Sequence, residues 1–433
     1  MKSFLAILFL IATSKQIISQ KPTLVCGYEH FIKIQKAHNP SYIENLDRMY
    51  EEAKTSNNNR GGGNYTLPVV FHVLHNSENQ NIPDSVVFSQ LEVLNEDYRR
   101  MNADALNTRD IFLPVAADTD INFALATIDP DGNPTTGITH TYTDRESFEI
   151  DIFSQTMTLD EVKHAETGGS DAWDPEHYVN IWICNIDGGF LGQIFGYAYP
   201  PAGLDNWPEG SEAPDMSNEG IVLHYTVVGR NNPYADEDGT SENNLGRALV
   251  HEMGHYLGLR HIWGDELFTD ICSEDDGIDD TPLCGGGDQF ACDFEANTCD
   301  DGTENDQPDM LENYMDYTQD ECYNMFTQGQ KMMMHYVIDE IRFELLTNSV
   351  GIKNSIETNL TNVWPNPTNI RISFSLPSAY SQFTYAIRNI LGEIVMRGQT
   401  SIQSLDVSKL STGTYILSTQ QNEVLNTSRF VVK

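Results

Sequence analysis

One eleven-residue stretch concentrates the side chains that could hold a metal and move a proton: His251-Glu252-Met253-Gly254-His255-Tyr256-Leu257-Gly258-Leu259-Arg260-His261. Two histidines four apart on a helix share one face a turn apart, so both imidazoles can reach a single tetrahedral ion. Glu252 stands beside them, placed to take a proton from an attacking water. Gly258 can adopt a backbone conformation closed to other residues, which lets the chain leave the helix and bring in His261 as third ligand. Three neutral ligands leave one coordination position open. A helix whose histidines are ordinary core or surface residues is the alternative, and it gives no reason for the third histidine or the glycine. Asn243 or Asn244 can cap this helix, and Leu245, Leu249 and Val250 supply its apolar side.

Stepping outward from the motif, the preceding sequence alternates strand and helix. Leu67 to Leu74 reads as a strand, and Val87, Leu91, Leu94 and Tyr98 fall at helical spacing. Ile121 to Ile128, Tyr178 to Ile186 and Ile221 to Val228 read as further strands. This alternation predicts an α/β catalytic domain over about residues 60–350. From about Asn359 the composition turns to short strands broken by Gly, Pro, Ser and Asn, so a small all-β domain is expected over 359–433.

At the other end, Lys2 followed by the apolar run Phe4 to Ala12 predicts a secretory signal over residues 1–20, too short to span a bilayer. No other stretch is long enough to do so. Residues 21–59 read as a polar, helical pro-segment, and Ser56-Asn57-Asn58-Asn59-Arg60-Gly61-Gly62-Gly63-Asn64 as an exposed linker. Lys plus Arg number 25 against 64 Asp plus Glu, a net charge of -39. Such a surface repels nucleic acid and anionic lipid and favours cations and basic segments. Of the seven cysteines, Cys272, Cys284, Cys292, Cys299 and Cys322 crowd together after the motif, which in an exported chain suggests local disulfides. Cys184 lies inside an apolar strand and reads as an inert buried thiol. Ser273-Glu274-Asp275-Asp276-Gly277-Ile278-Asp279-Asp280-Thr281 is rich in oxygen donors of the kind calcium prefers, or else a solvated acidic loop.

The long histidine motif resembles the zinc signature of metzincins, in which a turn carrying Met lies beneath the metal. Asn313-Tyr314-Met315-Asp316-Tyr317 is similar to that turn. The resemblance implies that Met315 floors the site and that Tyr317 hydrogen-bonds the developing oxyanion, a role a phenol can fill. Ile262-Trp263-Gly264-Asp265, Asp280-Thr281-Pro282 and the run from Asn313 to Cys322 resemble the pappalysin family, close to its ulilysin-like bacterial branch. That likeness covers about Leu67 to Leu346. It implies a mixed sheet with an active-site helix, disulfides Cys272–Cys299 and Cys292–Cys322 with Cys284 extra, and structural calcium held by Asp276 and Thr281 with oxygens of Ser273 and Ile278.

Cys26-Gly27, far from the other cysteines and ahead of the linker, resembles a cysteine switch in which the Cys26 thiolate is the fourth zinc ligand of a zymogen. Pappalysin-like enzymes prefer Arg or Lys after the scissile bond, which requires an acid in the pocket, and Asp320 and Glu321 are the candidates. An activating cut is expected between Asn59 and Arg60. Val363-Trp364-Pro365-Asn366-Pro367, Leu391-Gly392-Glu393, Gly413-Thr414-Tyr415-Ile416-Leu417 and Phe430-Val431-Val432-Lys433 resemble a type IX secretion sorting domain, a small β-sandwich read by the export machinery. The expectation is a secreted or surface-attached zinc endopeptidase acting on proteins or peptides. A metzincin of other specificity, or a silent binding protein on that scaffold, is the alternative.

Overall fold

A computed structural model describes residues 26, 27, 32, 46–60, 63–347 and 363–433, apart from short stretches that include 236–242, 265–271, 286–291, 375–382 and 390–393. The signal segment, Gly61, Gly62, Asp265 and Leu391-Gly392-Glu393 lie outside the described residues. The chain divides into two compact units, Met1–Val350 and Gly351–Lys433. Among the described residues no helix is long and apolar enough to cross a membrane.

The first unit is built on a mixed sheet of β1 (Tyr65–His75), β2 (Ile121–Leu125), β3 (Ile138–Tyr142), β4 (Val179–Cys184), β5 (Gly196–Ala198) and β6 (Ile221–His224). The order is β2-β1-β4-β6-β5, with β3 pairing the second half of β1. All pairings are parallel except β5 on β6, so β5 is an antiparallel edge strand. Leu67 through Leu74 are buried without interruption, which is why β1 reads as a continuous apolar run.

Helix α2 (Asp84–Tyr98) packs on β2 and on the motif helix α3 (Arg247–Tyr256). Polar contacts fix the crossing of the two helices: the Tyr98 hydroxyl donates to Val250 O at 3.2 Å, and Gln90 donates to Gly246 O at 2.9 Å. The start of α3 differs from the sequence expectation. Neither Asn243 nor Asn244 caps it; Gly246 does, in the left-handed region at φ 79°, and no side chain serves. A Cβ at Gly246 would lie 3.1 Å from Gly229 Cα and 3.2 Å from the Gln90 side chain, so the close Gly229 backbone adds to the positive φ in favouring glycine here.

The pro-segment helix α1 (Leu46–Arg60) buries Met49, Tyr50 and Ala53 against α4 (Gln328–Glu340). It runs through Ser56 to Arg60, the stretch whose composition predicts an open linker. The anchored face of the preceding turns carries the helix into weak helix formers, since adding a residue to an existing helix is far easier than starting one. Lys54 reaches Asp279 at 2.5 Å, tying α1 to the acidic loop.

The second unit has two antiparallel sheets: β7 (Val363–Trp364), β8 (Arg371–Phe374) and β11 (Ser404–Asp406) in one, and β9 (Phe383–Asn389), β10 (Ile394–Thr400), β12 (Gly413–Gln421) and β13 (Val424–Val432) in the other. Ile372, Phe374 and Leu405 from the first sheet share a core with Ile387, Tyr415, Leu417, Phe430 and Val432 from the second. This is a two-layer all-β domain.

Candidate metal centre

His251 and His255 project from one face of α3, and the chain then turns through Gly258, whose φ of 88° is in the left-handed region. A Cβ there would also lie 2.8 Å from Val337 and 3.0 Å from Leu204. This turn returns His261 to the first two. The three Nε2 atoms stand 3.1 to 3.2 Å from one another. Nδ1 of His251 faces Tyr314 O at 2.7 Å and Nδ1 of His255 faces Leu259 O at 2.8 Å. A carbonyl only accepts, so both Nδ1 atoms carry the proton and both Nε2 atoms present lone pairs. Lone pairs facing one another at that distance repel unless a cation lies between them. Tetrahedral zinc with bonds of about 2.0–2.1 Å requires nitrogen separations of about 3.3 Å, so the cage fits that ion. Burial pushes His255 down to about 4 and His251 and His261 well below the usual histidine value, which keeps the imidazoles neutral and ready to ligate.

The floor and wall are equally determined. A Cβ on Gly254 would collide with the Met315 sulfur, so the glycine admits Met315 beneath the helix. Asn313 fixes that turn: its Oδ1 accepts from Met315 N at 2.9 Å and from Gln330 at 3.0 Å, and Gln330 belongs to the capping box of α4. The Tyr317 ring is 4.8 Å from that of His261 and 5.7 Å from that of His251. Trp263 stacks on His261 at 4.5 Å, a contact that residue spacing alone does not reveal.

Glu252 is buried, and that burial raises its carboxyl well above the usual range. Cys26 lies against it, the thiol 3.7 Å from Oε2, and its sulfur joins the three histidine nitrogens in a group whose atoms all lie within 4.8 Å of one another. Gly27 N donates to Gly196 O of edge strand β5 at 2.9 Å. Gly196 itself brings the strand down onto Glu252, since a Cβ there would sit 3.0 Å from Glu252 Cγ. That role is carried by backbone and is invisible in side-chain types.

Beside Glu252 and His251 a narrow cavity is lined by Phe195, Asn243, Arg247, Asp320 and Tyr323. Asp320 is buried, whereas Glu321 is exposed and does not line this cavity. In the acidic loop, Asp276 Oδ1 accepts from Ile278 N, and the Thr281 hydroxyl, with one proton to give, lies 2.7 Å from Asp276 Oδ1 and 2.8 Å from Ile278 O. Asp276 Oδ2 and Asp280 Oδ1 are buried without a hydrogen-bond partner, while Ser273 is exposed. Disulfides join Cys272 to Cys299 and Cys292 to Cys322, and Cys184 and Cys284 are buried thiols.

Helix, returning histidine and Met-bearing turn together define a metzincin-type zinc metalloprotease. Residues 164–339 match the family model described as pregnancy-associated plasma protein-A, and residues 362–433 match the secretion system C-terminal sorting domain. Mature mirolysin of Tannerella forsythia, solved with a cleaved peptide, is 39% identical, covers 68% of this chain and 100% of its own, and superposes with a TM-score of 0.57. A promirolysin mutant from the same organism is 37% identical over 74% of this chain and 97% of its own, with a TM-score of 0.61. An extracellular metalloprotease of Arthroderma gypseum is 24% identical over 292 residues, 67% of this chain and 78% of that protein. The chain belongs to the pappalysin family and carries a C-terminal sorting domain.

Proposed function

We propose that the protein is made as a latent zymogen and, once matured, cleaves proteins internally, with a preference for Arg or Lys immediately after the scissile bond. The observation that carries this reading is the convergence of Cys26, His251, His255, His261 and Glu252 on one buried point. In it, the three histidines hold zinc through Nε2. Zinc, when bound, acidifies water and polarises the scissile carbonyl. Glu252 takes the proton of the attacking water as its oxygen bonds to the carbonyl carbon, and delivers it to the leaving nitrogen as the C–N bond breaks. The Tyr317 hydroxyl donates to the carbonyl oxygen as negative charge grows there. Met315 keeps the floor of the cage apolar.

Latency rests on Cys26, whose sulfur lies where an attacking water must enter, and on the pairing of its segment with β5. The activating cut falls between Asn59 and Arg60, at the frayable end of α1 beside three glycines, and needs that last turn to open. Cys26→Ala is expected to give premature self-processing, whereas a fully latent variant would remove the thiol from the mechanism.

Asp320, lining the cavity next to Glu252, is the acid that receives the basic side chain; the exposed Glu321 is set aside for this role. Calcium is assigned to Asp276, Thr281 and the Ile278 carbonyl, with Asp280 preferred to Ser273, because the two aspartates hold the orphaned oxygens. The C-terminal unit directs export by the type IX pathway, so the mature enzyme acts outside the cell or on its surface. Mapping cleavage sites in a denatured protein mixture by mass spectrometry, with Glu252→Ala as control, tests the whole reading. Zinc-dependent cuts ahead of Arg and Lys are expected; cuts ahead of apolar residues would overturn the specificity, and none at all the endopeptidase.

A further inference from the structure

Besides the reacting carboxyl of Glu252, the cavity is lined by two charges of opposite sign, the Arg247 guanidinium and the Asp320 carboxylate. By themselves these two cancel, and Asp320 so paired would give no reason to prefer a cation. Arg247, however, is committed in other directions. Its Nε donates to Asp97 Oδ2 at 3.2 Å, its Nη2 to Asp104 Oδ1 at 2.8 Å, and its Nη1 to the main-chain oxygen of Asp320 at 2.5 Å. The Asp320 carboxylate accepts instead from Leu245 N at 2.8 Å. The Arg247 and Asp97 side chains are 3% and 0% exposed, so that pair is little screened by solvent, while Asp104 is 24% exposed.

We propose that Asp97 and Asp104, neither of which lines the cavity, are positioning residues that set the specificity of the protease. They hold and neutralise Arg247 from behind, so that Asp320 is left to give the cavity its negative potential and to pair with an Arg or Lys of the substrate. Asp97 belongs to α2 and Asp104 to the short turn Ala103–Asn107 that follows it, so the selectivity is built by elements more than a hundred residues away in sequence from the zinc motif. The inference rests on the proposed basic preference.

Asp104 is the residue to test, because its partial exposure lets the fold tolerate a neutral replacement. The matured protease is assayed on three peptides identical except for Arg, Leu or Glu after the scissile bond. Removing one of the two carboxylates that neutralise Arg247 leaves its positive charge to oppose a bound cation more than an apolar side chain. In Asp104→Asn the Arg-to-Leu ratio of kcat/KM is therefore expected to fall about tenfold, while the Glu-to-Leu ratio rises and Asp104→Glu restores the original ratios. Unchanged ratios in Asp104→Asn, or a parallel decline on all three peptides, would overturn the inference and leave the basic preference standing. A wild-type enzyme that does not favour Arg over Leu would defeat both.

Discussion

The zinc cage and the acidic loop, to which calcium is assigned by proposal, are built in opposite ways. The cage is neutral: its ligands lie within eleven residues, burial holds the imidazoles uncharged, and backbone carbonyls fix two of them with lone pairs inward. The loop is anionic, and even with Thr281 and Ile278 turned onto Asp276 it leaves two buried carboxylate oxygens unpaired. Burying neutral groups that are hydrogen-bonded costs little, whereas a buried carboxylate oxygen without a partner is expensive until a cation or proton meets it. The cage is therefore assembled from neutral, hydrogen-bonded groups, whereas in the loop a cation would relieve the cost of the two unpaired oxygens.

The largest effects should come from the reacting groups, with the cage left intact. Glu252→Gln is expected to lower kcat by about 10²–10⁴-fold with zinc still bound at one per chain, read by peptide hydrolysis and metal analysis together. Loss of zinc in that variant would mean that Glu252 holds the cage rather than moving a proton. Tyr317→Phe is expected to cost about a hundredfold in kcat with little change in KM, as for a single oxyanion donor. If KM rises instead and kcat stays, the phenol binds substrate and does not act on the oxyanion. Next, Gly254→Ala drives a methyl into the Met315 sulfur and should destabilise the fold by about 1–3 kcal/mol, a cost of overpacking measured by denaturant unfolding. An unaffected stability would show that Met315 can move aside, so that packing does not set the cage.

The same contrast explains what was legible. The zinc motif could be read because a helix converts spacing into proximity, and β1 because strands buried on both faces are continuously apolar. Gly246 as cap of α3 could not, since the need for it arises from Gly229 and Gln90 in other segments. Composition places Ser56 to Arg60 in a linker, but the anchored turns at Met49, Tyr50 and Ala53 extend the helix. Choosing Asp320 over Glu321 requires knowing which adjacent side chain points inward, and chemistry alone treats them as equals. Gly196 and the Arg247 cluster act through tertiary approach, so they left no signature in the local sequence.

Calcium removal separates the two sites more gently. With a chelator that strips calcium and leaves zinc in place, Tm should fall, because a cation at a hundredfold excess over its Kd adds about 2.7 kcal/mol of stability. Asp276→Asn should abolish that response. A Tm indifferent to calcium would mean that the orphaned oxygens of the loop are met by protons, and the contrast between the two sites would then lie only in their charge.

The smallest effect is the most specific to the cavity. Burial pushes the Asp320 carboxyl up to about 6, with Arg247 acting in the opposite sense, and Asp97 behind Arg247 is likewise pushed to about 6. A carboxyl raised in this way stays protonated in the folded protein between about pH 4 and 6, where the unfolded chain has already released its proton, so ionising it costs stability as pH rises through that window. Recognition of a cation runs the other way and needs the ionised form. The Arg-to-Leu ratio of kcat/KM should therefore be high above about pH 6 and decline below it, following the free enzyme. Titration of Glu252 or of the zinc site affects both peptides alike and cancels in the ratio. Asp320→Asn should give a low ratio at every pH; a ratio that stays flat with pH in the wild type would remove Asp320 as the group that reads the basic side chain.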